Sequence, residues 1–142
     1  MDESIDPNIQ LAEQIAELQP KIEASTSPWK IVMVHKPPYT SESAHRLGSL
    51  PMRLDYAAMG VDAVFSGHSH DYEYIEQEGV QYFIQGLGGA TRRCSVEPYV
   101  DGSVSTYCDQ WGYSICEVNN SQLKITSRNI DGDVIDVRLI VK

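Results

Sequence analysis

The sequence predicts a mixed α/β fold: a β-α-β front half followed by an antiparallel meander, forming a partial α/β sandwich with helices outside and two sheets inside. Three observations carry this. Two short apolar runs rich in β-branched residues, Trp29–Val34 and Val61–Phe65, flank a helix-like segment. That order favours parallel pairing through a right-handed crossover. Downstream, further strand-like runs are separated by the hairpin-type turns Asn119-Asn120 and Asp131-Gly132. Finally, both front strands lead into histidine, at His35 and at His68-Ser69-His70. In open α/β sheets the ligand site lies beyond the carboxyl ends of the strands.

Taken in order, the first element is a helix. Asp6 is its expected cap and Pro7 suits its first turn. Ile9, Leu11, Ile15, Leu18 and Ile22 follow helical spacing, with Glu13 and Glu17 on the polar side. Pro20 should end or kink it by removing a hydrogen bond. Ser25 to Pro28 reads as a loop, and the first strand runs from Trp29 to Val34. Pro37-Pro38 forbids its continuation, which leaves His35 at its end. A polar loop, Thr40 to Arg46, precedes a second helix capped by Ser49, with Pro51 in its first turn. Met52, Tyr56 and Met59 would face the core and Gly60 would stop the helix. After the strand Val61–Phe65, the runs Val80–Ile84, Gly112–Val118, Leu123–Ser127 and Val134–Val141 read as strands. Gln85 to Ala90 reads as a flexible turn, and Arg92 to Trp111 as a long irregular loop.

At 142 residues the chain is the size of one domain. Its 42% hydrophobic and 22% charged residues are ordinary for a globular protein. No apolar run is long enough for a bilayer span. A net charge of −9 disfavours a generic nucleic-acid binder, because phosphates would be repelled. An anionic substrate would need a local positive charge, which a bound metal supplies. Met1-Asp2-Glu3-Ser4 lacks the basic and apolar regions of a signal peptide. The cysteines Cys94, Cys108 and Cys116 have no C-x-x-C spacing, which argues against a thiolate zinc site. Cys94 and Cys108 can pair across a loop in an oxidising compartment, but unpaired thiols are the default expectation. Cys116 is expected to pack as a small hydrophobe. Asn119-Asn120-Ser121 matches a glycosylation sequon, but a plain turn is the simpler reading.

His68 and His70 share one face if the chain there is extended, and Gly67 permits a tight bend or a close backbone approach to a ligand. With His35 delivered to the same edge, three imidazoles are available, and neutral imidazole is a ligand for zinc, iron and related ions. The plainer alternative is three hydrogen-bonded or exposed histidines.

The segments Val32-Met33-Val34-His35-Lys36-Pro37-Pro38-Tyr39 and Val61 through Glu73, containing Gly67-His68-Ser69-His70-Asp71-Tyr72-Glu73, resemble the last two metal-binding motifs of calcineurin-like metallophosphoesterases. The H-x-P-P-Y and G-H-x-H-x-Y-E forms are most similar to the purple acid phosphatase branch, and the Gly-Leu-Gly-Gly-Ala segment at 86–90 fits as well. The resemblance implies that His35 and His68 bind one metal of a dinuclear pair and His70 the other. His45 falls where that branch often places a histidine near the substrate phosphate, either to hydrogen-bond the phosphoryl oxygens or to protonate the leaving group. The implied cofactors are two divalent or mixed-valence ions, iron, zinc or manganese. The implied substrate is a small phosphoester, and the implied parent is secreted or periplasmic.

The earlier family motifs, D-x-H, G-D-x-x-[DY] and G-N-H-[ED], do not precede the histidines. Gly132-Asp133-Val134-Ile135-Asp136 spells G-D-x-x-D, but it follows them and looks like a hairpin turn. Residues 1–142 are therefore expected to be the carboxyl-terminal part of a single metallophosphoesterase domain of the α/β/β/α sandwich type. Its missing partner would be the amino-terminal half. The isolated chain is expected to be inactive, while the complete parent would be a hydrolase. The first alternative is a catalytically inactive remnant serving as a binding or interaction module. The second is a small β-rich binding domain whose histidines only share hydrogen bonds. Smaller expectations attach to Lys36, Arg92 and Arg93 as phosphate attractors, or as merely solvated loop residues. Tyr39 and Tyr72 are expected to support the histidine loops. Asp71 is either an orienting partner of a histidine or a turn residue.

Overall fold

The computed structural model describes residues 7–45 and 48–142, with side chains in the first helix described from Ala12 onward. The expected cap Asp6, the loop end at Arg46, and the side chains of Ile9 and Leu11 lie outside the described residues. Helix α1 spans Pro7–Ala24, and eight strands follow: β1 Ile31–Val34, β2 Ala63–Ser66, β3 Tyr72–Gln77, β4 Val80–Gln85, β5 Ser103–Tyr107, β6 Gly112–Val118, β7 Gln122–Asn129 and β8 Val134–Val141.

The strands form two sheets, one of five strands in the order β1-β2-β4-β3-β5 and one of three in the order β6-β7-β8. β1 pairs parallel with β2, as the front-half pattern requires, but β4, expected in the antiparallel meander, joins the large sheet and pairs parallel with β2. The strand period of two sorts the buried residues into two cores. On one face of the large sheet, Val64, Ile75, Val80, Tyr82 and Ile84 pack with Tyr56, Met59 and, from α1, Ile22. On the other, Ala63, Tyr72, Tyr74 and Phe83 meet Leu123 and Ile125 of β7. The layers are thus helix and turns, large sheet, small sheet.

Several expectations are corrected. The helix passes through Pro20 to Ala24. Proline there removes the N–H that would bond the Ala16 carbonyl, but Ala16 is exposed, so water can satisfy that oxygen. The second helix is absent. Only a 3₁₀ turn, Leu50–Met52, forms, and Ser49 makes no side-chain cap. A separate turn follows, because the Asp55 carboxylate accepts the Ala58 N–H at 2.9 Å and restarts the chain. Tyr56 and Met59 are nevertheless buried, and Gly60 ends the turn at φ +72°. The front strands begin later than expected, at Ile31 and Ala63.

Two strands went unrecognised. β3 carries the Tyr72-Glu73 end of the histidine motif and turns at Glu78-Gly79 into β4. β5 lies inside the segment read as irregular. That segment is also tied by a disulfide between Cys94 and Cys108, whose Cα atoms are 5.4 Å apart, in place of the unpaired thiols expected. Cys116 is exposed rather than packed, since it sits on β6, a strand at the margin of the small sheet. Asn119 does form a turn, its carboxamide oxygen accepting the N–H groups of Ser121 and Gln122 at 2.9 Å each.

Candidate metal centre

The carboxyl ends of β1 and β2 lie side by side, with Val34 in register with Ser66. His35 leaves the first strand directly, and the Gly67 N–H donates to its carbonyl at 3.1 Å. The chain then bends sharply, with His68 in the left-handed region at φ +63°. So the chain here is not extended, and the condition under which His68 and His70 would share one face is not met. Gly86 makes the bend possible: a Cβ there would lie 1.6 Å from the Ser69 carbonyl oxygen, so only glycine lets β4's end pass beneath the histidine turn. Gly67, in contrast, has open space where its Cβ would be.

The turn brings His68 against His35. His68 Nδ1 and His35 Nε2 are 3.2 Å apart, with ring centroids at 5.0 Å. His45 also packs against His68, centroid to centroid 4.2 Å. His70 is oriented differently. Its Nδ1 faces the Thr91 carbonyl at 2.8 Å, and the Arg93 N–H returns to the His70 carbonyl at 3.2 Å. His70 is still close enough to add to the positive field at His68. Burial first, and then the neighbours His45, His35, Lys36 and His70, lower the His68 pKa and favour the neutral ring that ligation needs.

These donors fit a metal in part. Two ligand nitrogens on a tetrahedral ion with bonds of ~2.0–2.1 Å sit about 3.3 Å apart. The His35–His68 spacing of 3.2 Å suits one shared ion. His70, with Nδ1 committed to a carbonyl, keeps Nε2 as its free ligand atom. Among the described residues, however, no group of three or more His, Cys, Asp or Glu is assembled to hold a metal. The nearby carboxylates instead turn inward.

Those carboxylates were not foreseen as a cluster. Glu42, Asp71 and Glu73 are all fully buried. Glu73 accepts from the Ser41 N–H at 2.8 Å and from the hydroxyls of Ser41 and Ser103 at 2.6 Å each. Thr40 and Ser95 hydroxyls add longer contacts at 3.2 and 3.3 Å. Asp71 accepts from Ser95 at 2.6 Å rather than orienting a histidine. Burial pushes its carboxyl up to about 7, against the Ser95 bond and with the charges of Glu73 and Glu42 adding to the rise. Glu42 contacts the His45 ring through His45 Nδ1. Burial opposes its ionisation, but the Ala44 N–H and His45 together hold its carboxyl below the usual range.

The tyrosines expected to support the histidine loops make their contacts elsewhere. Tyr39 sits edge-on to Tyr82 under the Arg53 guanidinium, and the Tyr72 hydroxyl donates to Asp136 at 2.6 Å. Asp136, the last residue of the rejected G-D-x-x-D, therefore ties the small sheet to the large one. Lys36, Pro37, His45, Gly48, Ser49 and His68 line a cleft of about 320 Å³. Gly48 closes one wall at φ +70°, where a Cβ would strike the Pro38 carbonyl at 2.4 Å. Lys36 thus faces the cleft, whereas Arg92 stacks over Trp111.

The calcineurin-like phosphoesterase family model matches residues 4–72, and the resemblance to that family is shown in sequence and fold together. Within it, the similarity is to purple acid phosphatases. Purple acid phosphatase 19 of Arabidopsis thaliana is 36% identical over 86 residues, covering 57% of this chain and 21% of that protein. Purple acid phosphatase 1 of Ipomoea batatas is 43% identical over 61 residues, covering 40% and 13%. The purple acid phosphatase from yellow lupin seeds superposes with a TM-score of 0.80 at 20% identity, over 91% of this chain and 28% of that one. GAP50, the anchor in the inner membrane complex of Plasmodium, gives the same TM-score of 0.80 at 20% identity, over 100% and 46%. The chain spans about a fifth or less of the length of these curated relatives. No helix among the described residues is long and apolar enough to cross a membrane.

Proposed function

We propose that this chain supplies the histidine-rich half of a metal-dependent phosphoesterase site of the purple acid phosphatase kind, completed by an amino-terminal half of the same domain. The observation that carries the reading is the 3.2 Å approach of His35 Nε2 to His68 Nδ1 at the ends of parallel strands. His35 and His68 would hold one ion and His70 a second. One relative is named as an Fe(3+)-Zn(2+) enzyme, which favours an iron–zinc pair. Bound ions would neutralise the phosphoester's charge and generate a hydroxide nucleophile near neutral pH. The chain's own part is to place ligands and to aim His45 and Lys36 at the cleft where a phosphoryl group would sit. His45 would donate to the phosphoryl oxygens or to the departing alcohol. The Cys94–Cys108 disulfide supports a parent in an oxidising, secreted or periplasmic setting.

The absence of an assembled ligand group among the described residues favours a second reading, a non-catalytic module that keeps the fold. Metal binding separates the two. Calorimetric titration of the chain with Zn²⁺ should show binding that His68→Ala weakens at least about tenfold, the low end of what losing even an outer-shell partner costs. The complete domain should hydrolyse an aryl phosphate monoester and lose that activity in the same variant. Zinc uptake that is indifferent to His68, or a complete domain without hydrolysis, would favour the non-catalytic module.

A further inference from the structure

We propose that Glu42 is a positioning residue for His45: the two form a carboxylate–imidazole pair that fixes the ring through Nδ1 and leaves Nε2 to serve the cleft. The role assigned to His45 rests on the phosphoesterase reading, but the pair itself stands on geometry.

The carboxylate is placed before the ring reaches it. Glu42 is fully buried, and its Oε1 accepts the Ala44 N–H at 2.9 Å and the Ser43 hydroxyl at 3.4 Å. That leaves Oε2 for the His45 ring. The backbone around it is pinned from several sides. The Glu42 N–H donates to the Thr40 hydroxyl at 3.1 Å, and the His45 N–H to the Glu42 carbonyl at 3.2 Å. Glu42 bridges to Ser95, and the Val96 N–H donates to the Ser41 carbonyl at 3.0 Å. Beneath lies Glu73, which takes the Ser41 N–H and hydroxyl. The loop that carries His45 is thus nailed to β3 through one buried carboxylate and presents a second to the imidazole.

The ring is held by Glu42 at Nδ1 and by the His68 ring, tilted against it with centroids 4.2 Å apart. A carboxylate accepts only, so a neutral imidazole must give it the Nδ1–H and keep its lone pair on Nε2. A protonated ring would present Nε2–H. In both states Nε2 is the atom left for the cleft shared with Lys36 and Ser49. Pairing of this kind fixes orientation and tautomer without touching substrate.

Side-chain nitrogen NMR of the metal-free 142-residue chain, at about pH 8 where ordinary imidazoles are neutral, reads the pair directly. His45 should be a single tautomer with the hydrogen on Nδ1. Glu42→Gln has only one acceptor oxygen, and with that oxygen held by the Ala44 N–H its amide nitrogen faces Nδ1 as a donor and should disfavour the Nδ1–H tautomer. Glu42→Leu should lose the preference, giving mixed tautomers at His45 alone while His35 and His70 signals stay in place. A wild-type His45 carrying its hydrogen on Nε2 would overturn the proposal without any variant, as would a tautomer unchanged in a folded Glu42→Leu. Zinc added afterwards tests the other reading: if His35 and His68 signals fail to move, the metal site falls while a correct His45 tautomer keeps the pair.

Discussion

Glu73 shows how a single carboxylate can organise a site it never enters. It sits on β3 facing the loop that carries His45, and it accepts from Thr40, Ser41, Ser95 and Ser103. Removing it would strand several buried donors, each costing roughly 1–3 kcal/mol. Glu73→Ala should therefore lower unfolding stability by about 3 kcal/mol, seen as a lower urea midpoint; an unchanged midpoint would mean the loop is held by other contacts. Tyr56 makes the opposite case. It is buried, and its hydroxyl has no hydrogen-bond partner among the described residues. Burial, helped by Tyr39, pushes its pKa up to about 12 from 10.0. The folded chain therefore keeps the proton longer than the unfolded one. Its contribution is fully present below pH 10 and is lost as pH rises through about 12. Tyr56→Phe should leave neutral-pH stability unchanged or raise it by about 1 kcal/mol. It should also remove part of the alkaline loss, which thermal melts in a pH series would show. At this scale the sequence named His35, His45, His68 and His70 but not the Glu42 carboxylate that pairs with His45. Glu42, Asp71 and Glu73 look like loop and strand acids until the fold closes over them. Only three-dimensional proximity distinguishes a buried acceptor from a solvated one.

At the scale of elements, the segment 86–111 is the most instructive. Gly86, Gly88 and Gly89 together with Arg92, Arg93 and Cys94 read as an irregular loop. Yet this segment clamps His70 through the Thr91 carbonyl and is stapled by Cys94–Cys108 to the end of β5. The crosslink closes a loop with a sequence separation of 14. A loop of that size is worth about 3 kcal/mol in the chain-entropy account. Reduction should therefore lower the melting temperature of the chain markedly, measured with and without a thiol reductant. It should also broaden the His70 side-chain signal, because the carbonyl that orients it is released. An unmoved melting temperature would show that the strand pairing alone holds the segment. The strands were legible where apolar residues recur, as in β4, β6 and β8. β5, Ser-Val-Ser-Thr-Tyr, carries too little apolar weight to announce itself, and its pairing with β3 supplies what its sequence lacks. The helix expected after Ser49 failed for a local reason, the competing Asp55 turn.

For the whole molecule, the layers leave β1 at the margin of the five-stranded sheet. Met33 on that strand is 82% exposed and Ile31 41%. An unpaired edge bearing apolar side chains invites pairing with another chain. Met33→Lys should reduce concentration-dependent association of the isolated chain, measured by sedimentation velocity, with little change in helix and strand content. Equal association in the variant would move attention to the small sheet, where Leu139 and Val141 are also exposed.

The sequence by itself determined the parallel front pair, the meander, and the delivery of histidines to one sheet edge. These follow from local periodicity and from prolines and glycines that stop strands. The tertiary structure alone decided that His45 packs tilted against His68, that Glu42 and Glu73 become buried acceptors, and that the cysteines at 94 and 108 meet. Each of these depends on distances between residues remote in the chain, which no local pattern encodes.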